Sequence, residues 1–104
     1  MSAAEDQLAI QLRAAGIEHE REFRFHSMRR WRADFRIGDV LVEVEGGGFV
    51  GGRHGTGTGM ERDCEKYSEA AAMGYRVLRV TPKHIKSGFA LDVIERAIGR
   101  VTCE

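Results

Sequence analysis

Between positions 32 and 45 the chain reads RADFRIGDVLVEVE: two runs in which apolar residues recur at every second position, joined by Gly38-Asp39. Alternation of this kind marks a half-buried strand, and a Gly-Asp pair suits a two-residue hairpin turn. With that turn, Ile37 faces Val40, Phe35 faces Val42 and Asp34 faces Glu43. Successive side chains point to opposite sides of a strand. One side of the hairpin then carries Ala33, Phe35, Ile37, Val40, Val42 and Val44, all apolar, and is the core side. The other carries Arg32, Asp34, Arg36, Leu41, Glu43 and Glu45. A slip of one residue would exchange the two sides, so everything below depends on this register.

Directly opposed residues of an antiparallel pair have Cβ atoms roughly 4.5–5.5 Å apart, where like charges repel. Asp34 against Glu43, with Glu45 one step along the same face, is unfavourable for structure alone. Two readings are open. In one, the face is solvated and Arg32 and Arg36 neutralise the acids. In the other, the carboxylates converge on a hard divalent cation, and oxygen ligands at this spacing suit Mg²⁺ or Mn²⁺.

The remaining chain frames the hairpin. Ser2–Ala15 reads as a helix: Ser2 and Glu5 have capping-box spacing, Leu8 and Leu12 are a turn apart, and Gly16 follows. Glu20–Phe25 alternates, with Arg21, Phe23 and Phe25 on one side, and reads as a strand. Between positions 46 and 59, eight of fourteen residues are glycine, the composition of a loop. Met60–Met73 reads as a second helix, Tyr75–Val80 as a buried-type strand ended by Pro82, and Ala90–Ile98 as an amphipathic helix. The order is α-β-β-β-α-β-α, an α/β architecture with one mixed sheet flanked by helices. At 104 residues the chain has room for one small domain, spanning 1–104.

Composition removes several classes. With 42% hydrophobic and 31% charged residues the chain is globular in type. The 16 basic residues equal the 16 acidic ones, so bulk charge selects no partner. The 2 cysteines lie far apart without CxxC spacing, which fits a reducing, cytoplasmic compartment. The start, MSAAEDQ, is not a signal peptide, and no apolar run reaches the ~20 residues of a membrane span. TGTGM lacks the GK[ST] of a phosphate-binding loop, and the cysteines and histidines show no zinc spacing. Cys64 falls mid-helix and reads as a small buried residue, while His26 and His84 read as surface residues.

The stretch from Trp31 to Val80 resembles the PD-(D/E)XK nuclease superfamily, most of all its very-short-patch-repair-like and VRR-NUC branches. The resemblance rests on Asp34, on Glu43-x-Glu45 in the next strand, and on an EVEGG strand leading to a glycine-rich turn with His54. A helix with Asp63 and Lys66 and the strand GYRVLRV follow, and an initial helix bears Glu5. It implies the restriction-endonuclease-like fold and hydrolysis of DNA phosphodiesters with Mg²⁺ or Mn²⁺, in the cytoplasm of a bacterial or phage-infected cell. Asp34 and Glu43 would hold the metal. Glu45 would bind it, bind a second one, or orient water. Two positions depart from the pattern: Ala33 replaces the proline of the family's name, and Glu45 its lysine. Lys66, at i+3 from Asp63, could supply the missing charge, or the two form an ordinary solvated pair. Glu5 is either an outer carboxylate or a helix-dipole cap.

Nucleic-acid contacts have two candidate sources. Arg53-His54 among glycines could meet phosphates together with bare backbone N–H groups. Arg29, Arg30 and Arg32 around Trp31 form a basic patch with an aromatic for stacking, unless Trp31 belongs to the core. So small a domain would enclose DNA as a homodimer or with a partner subunit. Two rivals stand beside the endonuclease: a binding module of the same fold that has lost cleavage, for which Glu45 is the evidence, and a nuclease acting on branched junctions or RNA.

Overall fold

The computed structural model describes residues 2–46 and 57–100. Its first element, α1 (Ala3–Ala14), is bounded by the caps anticipated at either end. Ser2 Oγ accepts the Glu5 N–H at 3.1 Å, so Ser2 caps the helix without joining it. Gly16 closes the helix at a φ of 73°, and Leu8, Ala9 and Leu12 turn inward.

Strands β1 (Glu20–Arg24), β2 (Arg32–Ile37) and β3 (Val40–Val44) form an antiparallel meander. The hairpin has the expected register, Ile37↔Val40, Arg36↔Leu41 and Phe35↔Val42. Positive φ at Gly38 and not at Asp39 is the pattern of a type II′ turn. Helix α2 (Gly57–Ala72) then crosses to β4 (Arg76–Val80), which pairs parallel to β3 from Val40↔Arg76 to Val44↔Val80. The result is one four-stranded mixed sheet in the order β1-β2-β3-β4.

Helices cover both sides of the sheet, giving two cores. One joins α1 and the C-terminal helices to Phe35, Ile37, Val40, Val42 and Val80. The other joins Ala70 of α2 to Phe25, Ala33 and Leu41, with Phe23, Trp31, Tyr75 and Val77 around them. Among the described residues, no helix is long and apolar enough to cross a membrane.

Several expectations are corrected. Ala33 does not share a face with Phe35, nor Phe23 with Arg21. Arg21 lies over the Phe35 ring, whereas Phe23 meets Arg36 and Tyr75 on the opposite side. On β1 the exchange occurs at Glu22, which has a φ of 52° between the Arg21↔Phe35 and Phe23↔Ala33 rungs. This region is rarely adopted by residues other than glycine, and it breaks the period of two that the sequence reading assumed.

A helix absent from the sequence reading, α3 (Pro82–Ser87), precedes α4 (Phe89–Ala97). Thr81 and His84 cap it reciprocally: Thr81 Oγ1 accepts the His84 N–H, and His84 Nδ1 accepts the Thr81 N–H. Pro82 therefore starts a helix as well as ending a strand. β4 is an edge strand with Arg76 and Arg79 exposed, not a buried one. Cys64 is exposed, because α2 turns Ala70 and not Cys64 toward the sheet. His26 is partly buried: Nε2 meets Glu69 at 3.2 Å, and Nδ1 accepts the N–H groups of Met28 and Arg29.

Candidate active site

Hydrogen-bonded pairing between β2 and β3 runs from the turn to the Phe35↔Val42 rung. One residue further on, the Asp34 carboxylate enters the ladder: its Oδ2 accepts the Val44 backbone N–H at 2.8 Å. Glu43 follows Val42 on β3, on the side facing α2. Lys66 of α2 reaches down to it, Nζ to Oε2 at 3.1 Å, with the two side chains 17% and 12% exposed. Burial pushes the Glu43 carboxyl up to about 7; Lys66 opposes the rise, and Asp34 and Glu45 add to it.

These groups border a cavity of about 420 Å³. Four acids line it, Glu5, Glu22, Asp34 and Glu43, against three bases, Arg30, Arg32 and Lys66, with Trp31 beside them. Glu5 arrives from the first turn of α1, with Arg21 Nη2 3.8 Å from its Oε1. Its carboxyl is also raised, first by burial and then by the nearby Asp34 charge. The sequence-derived Asp34, Glu43, Lys66 and Glu5 are thus brought together.

Glu45 is not among the residues lining the cavity. Arg79 Nε donates to its Oε2 at 2.8 Å, and the Tyr67 hydroxyl lies 3.5 Å from the same oxygen. Burial raises the pKa of that phenol, so it stays a donor beside the acids. Among the described residues no three His, Cys, Asp or Glu side chains form a ready ligand set for a metal ion. Arg53 and His54 lie outside the described residues.

The basic patch divides by partner. Arg29 pairs with Glu65 at 3.3 Å and stacks on Trp31, its Cζ 4.0 Å from the ring centroid. Arg32 pairs with Glu22 at 3.0 Å. Arg30 has no ion pair among the described residues and faces the cavity. Trp31 stacks on Phe25 at 6.3 Å and so packs against the second core while also bordering the cavity.

Sequence reasoning missed Glu22, Tyr67 and Arg79. Nothing in EREFR signals a positive φ at Glu22. Arg79 could have been found only with the parallel register, which places it beside Glu43.

Among solved structures, one gives a full-length likeness. The fold is that of the catalytic domain of the homing endonuclease I-Bth0305I. The TM-score is 0.67 at 18% identity, over 98% of this chain and 100% of that one. No family model and no curated protein matches the sequence. At that identity the likeness to the homing-endonuclease domain establishes the fold, and the overlap takes in α1, the sheet and α2, which carry the cavity.

The raised Glu43 carboxyl has a consequence for metal-free protein. Unfolded, the group ionises near 4.5; folded, it ionises near 7. Its protonated form is the one the fold favours, so that contribution is fully present below about pH 4.5 and lost as pH rises through about 7. In chelator, wild type should therefore lose stability relative to Glu43→Gln between about pH 5 and pH 8. Melting temperatures of the two proteins across that range decide it: a constant difference would mean that Glu43 titrates normally.

Proposed function

We propose that this chain is a Mg²⁺- or Mn²⁺-dependent DNA endonuclease of the PD-(D/E)XK superfamily, of its very-short-patch-repair-like or VRR-NUC kind. The observation that carries the reading is the meeting of Asp34, Glu43 and Lys66 in one cavity, with Glu5 behind them. The likeness of fold to an endonuclease catalytic domain supports it.

The residues present fit a hard cation. Burial first, and the Asp34 charge after it, raises the carboxyls of both Glu5 and Glu43, and four carboxylates line the cavity against three bases. Mg²⁺ in particular is commonly held by one or two carboxylates, with water completing its shell. Asp34 and Glu43 would be those carboxylates, and the bound ion would supply an acidified water and offset charge on the attacked phosphate.

The chain's own groups do the rest. Glu5 stands as an outer carboxylate. Lys66 brings a compact ammonium from α2 to the place the motif lysine would serve from β3. Arg30 receives a backbone phosphate at the cavity mouth, and Trp31 offers its remaining edge to a base. A homodimer or a partner subunit extends the surface along the duplex.

Incubation with plasmid, single-stranded and four-way-junction DNA tests the proposal. Cleavage with Mg²⁺ or Mn²⁺ and none in chelator is the expected result. Binding without cleavage under every metal condition would instead favour the lapsed module. Because Arg30 has no ion pair among the described residues, Arg30→Ala should weaken DNA binding and reduce the salt slope by about 1. Arg29→Ala should change both less, since Glu65 and Trp31 already hold that guanidinium. Anisotropy titrations over a salt series compare the two; equal losses would leave Arg30 without a special role.

A further inference from the structure

We infer that Tyr67 is the positioning residue for Lys66, and that Glu45 and Arg79 act on the site through it. The inference rests on the proposed role of Lys66 in cleavage, although its first test does not require cleavage.

Lysine is a point charge on a flexible four-carbon stem, and nothing in its own chemistry fixes where the ammonium sits. Here it has two supports. One is Glu43, at 3.1 Å. The other is the ring of Tyr67, whose centroid is 5.6 Å from Nζ. That separation is within the ~6 Å over which an aromatic face attracts a cation. If Glu43 turns to a metal ion during the reaction, the ring is the support that remains.

The ring in turn is held from β4. Arg79 Cζ lies 4.6 Å from its centroid. Arg79 is tied to Glu45 by the 2.8 Å bond described above, so Glu45, Arg79 and Tyr67 form a chain ending on Lys66. The Tyr67 hydroxyl reaches Glu45 at 3.5 Å, long for an O–H···O bond, so the guanidinium carries most of this tie. Glu45 thereby has a function outside the cavity: it anchors the clamp that aims Lys66.

Acetylation of Lys66 by a water-soluble active ester, followed by mass spectrometry, reads the position of the amine directly. The exposed Lys83 and Lys86 serve as internal references. Tyr67→Leu keeps bulk but loses the ring, and should speed acetylation of Lys66 roughly fivefold relative to those references. Tyr67→Phe keeps the ring and should stay near wild type. Glu45→Gln, which weakens the hold on Arg79, should fall between the two, and carries the test if Tyr67→Leu does not fold.

In cleavage assays Tyr67→Leu should lower kcat roughly fivefold to tenfold with KM unchanged. Phenylalanine should restore most of that loss. Placed on Lys66→Ala, Tyr67→Leu should cost nothing further, because a positioning residue has no work once its client is gone. The inference is overturned if Lys66 acetylation is unchanged in Tyr67→Leu and Glu45→Gln, or if the kcat loss persists in the Lys66→Ala background. A wild-type protein that cleaves no DNA would overturn the nuclease reading, while the acetylation result would still decide whether Tyr67 places Lys66.

Discussion

Asp34→Asn and Glu43→Gln should each lose cleavage of plasmid DNA in Mg²⁺ while remaining folded. Both changes keep the shape of the side chain and remove the charge a hard cation requires. Alanine variants should also be inactive but are poorer probes at Asp34. There the carboxylate has a second duty, accepting the Val44 N–H at 2.8 Å. Asp34→Ala leaves that partly buried donor without its partner, at a cost of about 1–3 kcal/mol. Asparagine retains an acceptor oxygen, so Asp34→Asn separates the chemical role from the structural one. Plasmid nicking and thermal melting measured together make the distinction. If either isosteric variant cleaves at the wild-type rate, Asp34 and Glu43 do not form the reacting centre.

Lys66→Ala should lower kcat by on the order of 10²–10³ while changing KM little, as expected for a charge that acts mainly in the transition state. Lys66→Arg should restore little. A planar guanidinium cannot place one compact charge where an ammonium sat, between Glu43 and the Tyr67 ring. Single-turnover rates and DNA affinities for the three proteins provide the measurement. Normal cleavage by Lys66→Ala would return that lysine to the role of a structural partner for Glu43. The cleavage reading would then need another source of positive charge, for which Arg30, also lining the cavity, is a candidate.

Much of this geometry could be read before any coordinates, and the reason is local. The hairpin register follows from strict alternation on both sides of a two-residue turn, and it was found as expected. The Asp34↔Glu43 rung it implied is not formed, since the Asp34 carboxylate accepts the Val44 N–H instead, but both acids still line one cavity. Lys66 was legible only as one position on a helix face, because its descent to Glu43 depends on how α2 docks.

What could not be read has equally specific causes. At Glu22 a positive φ interrupts the alternation of β1, so Phe23 was placed on the wrong side, and its partner Ala33 was misplaced with it on β2. Whether the strand ending at Val80 lies at the centre or the edge of the sheet is a matter of topology, and its apolar composition misled on that point. Glu45 continues the alternation on paper. Its partner Arg79 comes from a strand whose parallel register nothing in the sequence announces, so the Glu45–Arg79 pair was invisible. The six residues of α3 are too few for a periodic signal, although its Thr-Pro-Lys-His start carried the capping residues in plain view.

The placement of Asp34 on the hairpin also bears on how the protein comes together. Asp34 and Val44 are 10 positions apart. Lys66, in contrast, must wait for a whole helix to dock. Short loops close at less entropic cost than long ones, so the hairpin is expected to form first. Asp34, Glu43 and the nearby Arg30 and Arg32 are then in place before the last charge arrives. Glu43 gains its own partner, Lys66, only with the arrival of the helix that follows the glycine-rich segment.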